Sequence, residues 1–431
     1  MRVIDSQRTG AWCVLALLSL ILSSCGGGGT VSSSGGSSSQ QPSEILYAQL
    51  GNLQIQAFQI DSSSGELNSI QIVDPPPGDN CVSGAPIPPL GFAGTLLATS
   101  PAKFLFAANT ACSASNGAVT SASLDSYSIG TDGTLTAVAG SPFAVPAEPD
   151  GLQRGIQVAA INPANSILYA QIGDAAYLEG FQIDSQNGAL TPTANFTSLM
   201  QFDGAAPFTI DPSGQFLYVT VQYLLADAGL PAGIAEYAIT PATGALTPVT
   251  TFPDLPSSSQ PEGVVMDSTG HFVYINLFDA GSPYEIAGFV RNPGTGELTE
   301  MPGSPFASEA TPNPAVIQLI MHPSGKFLYA LNLNGGTVSA FAIDSSTGDL
   351  SPVAGSPFPT QLFSVDGLPP VQVMQGPMAV DPSGNFLYVG CDEPMVAIYR
   401  IDQSTGALQA GSGSPENLSS QLYSYAIVQA P

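Results

Sequence analysis

The sequence predicts an all-β fold, a seven-bladed β-propeller of four-stranded antiparallel blades, because three markers each recur seven times. They are an aromatic residue, a Gly six or seven residues later, and a Leu two residues after that Gly. The glycines are Gly65, Gly133, Gly188, Gly244, Gly296, Gly348 and Gly406. A period of about 50–60 residues built from strand-like units is typical of a propeller, so we expect one repeat domain despite the length of 431 residues.

Each repeat contains the signals of four strands, most clearly in the last one. A short apolar stretch, Pro377–Val380, is followed by Asp-Pro-Ser-Gly, whose Pro and Gly fit a type I turn. The second strand is Phe386–Val389, and the third alternates apolar and polar residues. A Gly-containing hairpin then leads to a fourth strand. In the preceding repeat this strand contains Pro352, which predicts an outer edge because Pro cannot donate to a ladder.

The two ends of the repeat region predict how the ring closes. Ile45–Ala48 matches a second strand with no first strand before it, and Tyr423–Val428 matches a first strand with nothing after it. Together they complete one blade, and this pairing removes two exposed sheet edges. The alternative is an unpaired C-terminal tail.

Residues 1–24 have the features of an export signal. Arg2 and Arg8 precede an apolar run from Ala11 to Leu22 that is too short for a permanent transmembrane helix. The run ends in Leu22-Ser-Ser-Cys25, which resembles the lipobox of bacterial lipoproteins. The resemblance implies cleavage before Cys25 and lipid attachment to Cys25. A plain secretory signal with a chance Cys is the alternative.

Residues 25–43 are rich in Gly, Ser and Gln and predict a flexible tether. The predicted organisation is therefore a signal peptide over 1–24, a tether over 25–43 and the propeller over 44–431. We expect the protein in the bacterial cell envelope, on the periplasmic or the outer-membrane and extracellular face, and attached to the membrane only through its lipid.

The composition excludes several classes of partner. A formal charge of −26 makes nucleic acid and anionic lipid surfaces unsuitable partners. Two His and five Cys leave little material for a zinc or haem site, and no acidic run has calcium-loop spacing. We therefore expect no cofactor and no metal, and a monomer.

The repeat motifs resemble those of the lactonase-type seven-bladed propellers, which include 6-phosphogluconolactonase-like and carboxymuconate-lactonizing proteins. The motifs are Asp-Pro-Ser-Gly-x-Phe-Leu-Tyr-Val, at Asp211 and Asp381 with His322 replacing the Asp, and Phe-x-Ile-Asp-x-x-Thr-Gly-x-Leu with a following Gly-Ser-Pro-Phe. The resemblance covers residues 44–431. Because these motifs form turns and strand cores, they are specific for the fold and weak for activity.

The resemblance implies chemistry at the channel mouth, where the first strands begin and where family enzymes use His, Arg and Glu. The positions of the family His hold Gln157, Ala206, Glu262, Ile317 and Gly376 here, and His271 and His322 lie in turns at the opposite end. The candidates are Arg154 as an anion-binding or oxyanion-stabilising cation, Glu262 as a general base and Gln157 as a ligand-binding amide. The alternatives are a surface Arg154 paired with Glu148 or Asp150, and a solvated Glu262.

The cysteines fit an oxidising compartment. Cys81 and Cys112 fall in predicted loops of the same face, so we expect a disulfide between them. Free thiols at Cys81, Cys112 and Cys391 are the alternative.

Two functions remain open at this point. One is a non-catalytic binding or scaffold propeller for a small lactone or sugar-like ligand, or for a cell-envelope protein. The other is a lactone hydrolase that activates water at the channel mouth through Arg154 and Glu262. The scarcity of His and Arg at the family positions favours the first for mechanism.

Overall fold

A computed structural model describes residues 44–50, 53–75, 96–112, 119–147, 155–172, 177–193, 197–198, 207–221, 233–249, 255, 260–278, 285–308, 316–332, 336–360, 375–391, 394–419 and 422–431. These residues lie within one compact unit, Pro42–Pro431. The regular elements in them are all strands, so no helix in these ranges is long and apolar enough to cross a bilayer.

The strands are numbered along the chain and grouped into blades I to VII. The first three are β1 (Glu44–Leu50), β2 (Ile55–Ile60) and β3 (Leu67–Val73). Blade I contains β4 (Leu96–Ala98), β5 (Phe104–Cys112), β6 (Val119–Ile129), β7 (Leu135–Ala137) and β8 (Phe143–Ala144). Blade II contains β9 (Ile156–Ile161), β10 (Ile167–Ile172), β11 (Tyr177–Ile183), β12 (Leu190–Pro192) and β13 (Thr197–Ser198). Blade III contains β14 (Phe208–Ile210), β15 (Phe216–Val221), β16 (Gly233–Ile239) and β17 (Leu246–Pro248).

The second half of the ring repeats this arrangement. Blade IV contains β18 (Gln260–Met266), β19 (Phe272–Phe278), β20 (Glu285–Arg291), β21 (Leu298–Glu300) and β22 (Phe306–Ala307). Blade V contains β23 (Val316–Met321), β24 (Phe327–Asn332), β25 (Thr337–Ile343), β26 (Leu350–Pro352) and β27 (Phe358–Pro359). Blade VI contains β28 (Gln375–Val380), β29 (Phe386–Cys391), β30 (Met395–Ile401), β31 (Leu408–Ala410) and β32 (Glu416–Asn417). The final strand is β33 (Leu422–Gln429).

The predicted seven-bladed architecture and its closure are confirmed. Every blade is an antiparallel sheet, and β33 pairs with β1 so that blade VII has the order β33-β1-β2-β3. The innermost strands β4, β9, β14, β18, β23, β28 and β33 contact one another in sequence, and β33 contacts β4. The first strand of one blade is therefore supplied by the C-terminus, and the ring is continuous.

Each blade has two ends, which we name here. The turn end carries the turns between first and second strands, such as Asp381–Gly384, and the mouth end is where the innermost strands begin. Second strands run towards the mouth end and third strands run back from it. The two ends differ in their charges, as described below.

The seams between blades are held by a repeated hydrogen bond. Buried second-strand tyrosines donate across the seam to the carbonyl of the hairpin Gly in the next blade at 2.7–3.1 Å; they are Tyr47, Tyr169, Tyr218, Tyr274, Tyr329 and Tyr388. In blade I the same position is Phe106, which has no hydroxyl. There the Ser126 hydroxyl donates to Gly188 O at 2.8 Å, so the carbonyl is still satisfied.

The hairpin glycines also allow these seams to close. Gly406 has φ +76°, and a Cβ built on it would lie 2.4 Å from Cδ1 of Phe327 in the preceding blade. Glycine is required there both for the left-handed backbone and for the close approach of the ring. The Gly marker thus lies in the predicted hairpin, where it serves both the turn and the packing between blades.

The Gly-Ser-Pro motif interrupts the outer strand of four blades. Where the outer strand breaks, a Ser hydroxyl accepts the third-strand N–H at 2.9–3.1 Å; these serines are Ser141, Ser304, Ser356 and Ser414. A short strand then resumes pairing with the third strand. The Ser thus satisfies a donor that the break would otherwise leave unpaired, and short outer strands limit edge-to-edge association.

The closure also joins blade VII to the turn end of blade VI. Glu44, the first residue of β1, accepts the N–H of Ser383 at 2.9 Å. Burial and the neighbouring Asp381 carboxyl raise the pKa of Glu44 to about 8. This raised pKa favours the protonated form of Glu44, which avoids two adjacent buried carboxylates.

Candidate functional site

The mouth end is marked by β-bulges at the start of the innermost strands. In β18 the register shifts between Pro261 and Gly263, so Glu262 is the extra residue. Gln157 in β9, Ile317 in β23 and Tyr423 in β33 occupy the same place in their own shifts. In β28 the shift lies between Gln375 and Met378, and it includes Gly376. Bulges commonly re-aim a side chain next to a functional site.

Four of the five family positions named from the sequence thus lie in bulges: those at Gln157, Glu262, Ile317 and Gly376. The fifth, Ala206, lies outside the described residues, as does Arg154. The Gln157 side chain is partly buried, and its Oε1 atom is buried without a hydrogen-bond partner among the residues that the structure describes. The structure therefore groups Gln157 and Glu262 by backbone position, and Arg154 keeps its role as an expectation.

Neutral amides accompany the bulges. Gln171 lies opposite Val158, which follows the bulge in β9, and Asn276 lies opposite Gly263 in the same relation. Gln49 lies opposite Ser424 in blade VII. These three amide side chains are all buried. We call them the amide belt.

A fourth amide acts between the innermost strands of two blades. Gln318 follows the bulge in β23; its Oε1 accepts the N–H of Met378 at 2.7 Å and its Nε2 donates to Met378 O at 3.4 Å. This pair of hydrogen bonds ties β23 to β28 beside the channel. Just below the bulges, the described chain therefore contains buried amide groups, which can donate and accept without carrying charge.

Cationic side chains in the described ranges lie at the turn end. Lys103, Lys326, His271 and His322 are in or next to first-to-second-strand turns, and Arg291 and Arg400 are at the ends of third strands. His322 is buried and bonded through its two ring nitrogens to Ser324 and Gly384, and burial lowers its pKa. The turn positions of His271 and His322 agree with those expected from the sequence.

One turn-end group was missed by the sequence reasoning. The Arg291 Nη2 atom lies 2.7 Å from Asp211 Oδ2 in a buried ion pair across the seam between blades III and IV. Arg291 Nε also donates to the Tyr218 hydroxyl at 2.8 Å. The signal was available, because Arg291 stands where the other six third strands end in Ile. Its burial and its partners assign it to the seam and not to substrate.

The carboxylates and cysteines bear on the predictions about metal binding, the disulfide and the lipid anchor. Within the described ranges, no three His, Cys, Asp or Glu side chains are grouped so as to hold a metal ion. Cys112 is the last residue of β5, and its expected partner Cys81 lies outside the described residues, as does Cys25. The disulfide and the lipidation site remain predictions.

Comparison with known proteins agrees with the resemblance drawn from the motifs. Residues 159–316, from blade II to the first residue of blade V, match the family described as lactonase, 7-bladed beta-propeller. No curated protein matches the sequence.

Solved structures share the fold over nearly the whole described chain. A proposed 6-phosphogluconolactonase of Bacteroides fragilis has 18% identity and a TM-score of 0.63, and the alignment covers 91% of this chain and 99% of that one. One from Bacteroides uniformis has 16% identity and a TM-score of 0.65, covering 90% and 100%. The periplasmic gluconolactonase of Pseudomonas aeruginosa has 16% identity and a TM-score of 0.67, covering 91% and 100%. At these identities the likeness concerns the fold.

Proposed function

We propose that this protein is a lipid-anchored propeller of the bacterial cell envelope that binds a neutral, polar, sugar-like ligand at the mouth end. The observation that carries the proposal is that the described cationic side chains lie at the end opposite the bulges. The amide belt lies beside the bulges, whereas the described cationic side chains lie at the turn end. Amides suit hydroxyl groups, which both donate and accept, and a phosphate would favour Arg or Lys.

The bulges support the same proposal. Gln157 offers an acceptor that has no partner within the described ranges, at the position where the motif resemblance implies a functional side chain. An unpaired buried acceptor costs about 1–3 kcal/mol, and a ligand hydroxyl would remove that cost. The ligand is therefore expected to donate to Gln157 Oε1.

A second function, lactone hydrolysis, is favoured by one specific observation. Glu262 is the extra residue of its bulge, and the family match includes it. In this alternative Glu262 activates water and Arg154 stabilises the oxyanion that forms on the lactone carbonyl. The names of the similar structures refer to lactonases, so the two functions must be separated by assay.

The separating experiment combines binding and turnover on the same panel. Gluconolactone, 6-phosphogluconolactone and neutral sugars are tested by thermal shift for binding and by pH-stat for hydrolysis. We expect binding of neutral members without hydrolysis above background, and a weakening of at least about tenfold for Gln157→Ala. Loss of one hydrogen bond to a ligand is of this size. Gln186→Ala, an exposed amide at the turn end of the same blade, is the matched control.

The lactonase alternative predicts a different set of results. Under the lactonase alternative the parent hydrolyses a lactone, Arg154→Ala lowers turnover by about 10²–10³ and Glu262→Gln by about 10²–10⁴. If both variants hydrolyse the lactone as fast as the parent, the protein is an enzyme, but Arg154 and Glu262 are not its catalytic residues. Hydrolysis by the parent would in either case contradict the binding-only proposal.

The anchor is tested independently of the ligand. Mass spectrometry of the N-terminus of the protein purified from membranes is expected to find an acylated Cys25 as the first residue, because Leu22-Ser-Ser-Cys25 has the lipobox pattern. A Cys25→Ser variant is expected to leave the membrane fraction. An unmodified N-terminus that begins elsewhere would contradict the anchoring.

A further inference from the structure

The seam between blades VII and I contains a buried polar cluster near the mouth end. Gln49 and Ser424 come from blade VII, and Asn109, Ser123 and Asp125 come from blade I. Each is at most 7% exposed. Gln49 lies directly opposite Ser424, and Asn109 lies directly opposite Ser123. We call these five residues the seam cluster.

Three residues of the seam cluster are connected by side-chain hydrogen bonds. Gln49 Nε2 lies 3.2 Å from the carbonyl oxygen of Ala108, to which it donates, and 3.5 Å from Asn109 Oδ1. Asn109 Nδ2 donates to Asp125 Oδ2, and the Tyr127 hydroxyl donates to the same oxygen at 3.2 Å. Both amide nitrogens are thus bonded to blade I, which leaves Gln49 Oε1 to face other groups.

Several oxygens of the seam cluster have no hydrogen-bond partner among the described residues. They are Gln49 Oε1, Ser123 Oγ and Ser424 Oγ, all buried and contributed by both blades. An unpaired buried oxygen is costly, and three in one cluster point to a bound species that supplies the missing partner. These three atoms can all act as oxygen ligands.

Other seams repeat this chemistry only in part. In the seam between blades IV and V the equivalent positions hold Asn276, Asn332 and Ser339, without a carboxylate. Blade II has Glu179 at the position of Asp125, but the positions of the two amides in that seam hold Ala108 and Ile172. Within the described residues, the combination of amides with a carboxylate is therefore a feature of the seam where the two chain ends close the ring.

We infer that the seam cluster binds a hard divalent cation, with calcium as the matching ion. Amide, hydroxyl and carboxylate oxygens are the ligands that calcium prefers, in flexible arrangements completed by water. A single carboxylate predicts weak binding, in the range of about 10⁻⁴–10⁻³ M typical of extracellular modules. Magnesium is disfavoured because it gives up its waters reluctantly and requires a stricter octahedron. The cation would link blade VII to blade I at the closure and would use Gln49 of the amide belt, whereas the proposed sugar contact at Gln157 lies in blade II.

The test uses the purified full-length protein after treatment with a chelating resin. Calcium at 10 mM is compared with magnesium at 10 mM and with potassium chloride of equal ionic strength, by thermal unfolding. We expect calcium alone to raise the melting temperature by about 2–3 °C, the size given by mass action for a site about 90–99% filled. Terbium luminescence excited through tyrosine gives a second readout, because the Tyr127 hydroxyl touches Asp125.

Variants locate the ion. Asp125→Asn and Ser424→Ala are each expected to weaken calcium binding by at least about tenfold. Because Ser424→Ala removes no hydrogen bond between described residues, it keeps the test valid if Asp125→Asn fails to fold. Asp132→Asn, an exposed acid in the same blade, removes the same charge as a control and should leave binding unchanged. Equal effects of calcium and the controls, or equal binding by all variants, would mean that ordered water and not a cation fills the seam cluster.

Discussion

Deleting Tyr423–Pro431 is expected to destroy the cooperative folding of the entire propeller, although it removes only the C-terminal residues. β33 pairs with β1 along its length and also contacts β28 and β4, the innermost strands of the two adjacent blades. Its loss would expose the β1 edge and both seams beside it. Unpaired backbone groups cost about 1–3 kcal/mol each where they stay buried, so several such groups exceed the stability of a typical domain.

The measurement is thermal unfolding followed by circular dichroism. We expect the truncated protein to lose its sharp transition or to melt at least about 10 °C lower, because each kcal/mol shifts the melting temperature of a chain this long by only about 1 °C. Deleting the exposed Pro431 alone is the matched control. A synthetic peptide of residues 422–431 added in trans should restore part of the transition. A truncated protein that melts like the parent would contradict the closure.

The repeat markers predicted the fold because each has a fixed mechanical role. The hairpin glycines are needed at every seam, since side chains of the preceding blade occupy the space of a Cβ, as at Gly406. The closure was predictable because β1 and β33 match two different strands of the repeat. The local sequence identifies the place of each strand in its blade. The order of the strands in each sheet follows from that place.

The site was less predictable for a physical reason. Whether Gln157 or Glu262 lies in a regular strand or in a bulge depends on pairing register with the neighbouring strand, which composition does not reveal. Ser126 bonds Gly188 O in place of the hydroxyl that Phe106 lacks, and this contact likewise depends on a distance across a seam. Both are tertiary effects, whereas the turns and hairpins follow from local residue chemistry.

The Arg291–Asp211 pair supplies the second large effect, and the repeat provides its reference. Asp211 Oδ1 accepts the N–H groups of Gln215 and Phe216, and its Oδ2 receives Arg291. In the seam between blades II and III the corresponding residues are Asn162, which accepts the equivalent two N–H groups, and Ile239. The seam between blades II and III therefore has the same arrangement with uncharged side chains.

Replacing Arg291→Ile is expected to lower the free energy of unfolding by about 3–5 kcal/mol, measured by urea denaturation. The variant would leave the fully buried Asp211 without its cation and remove the donor to Tyr218, and breaking one side of a buried pair has this cost. Arg400→Met removes an exposed Arg from the end of another third strand and should change stability by no more than about 0.5 kcal/mol.

The double variant Arg291→Ile with Asp211→Asn decides whether the cost comes from charge. It recreates the Asn162 and Ile239 chemistry of the neighbouring seam, so we expect stability within about 1 kcal/mol of the parent. The coupling between the two changes should then be at least about 2 kcal/mol, well above the range for independent sites. If the double variant is as unstable as Arg291→Ile alone, the loss is due to packing around Phe216, whose ring lies 5.3 Å from the Arg291 guanidinium carbon, and not to the uncompensated carboxylate.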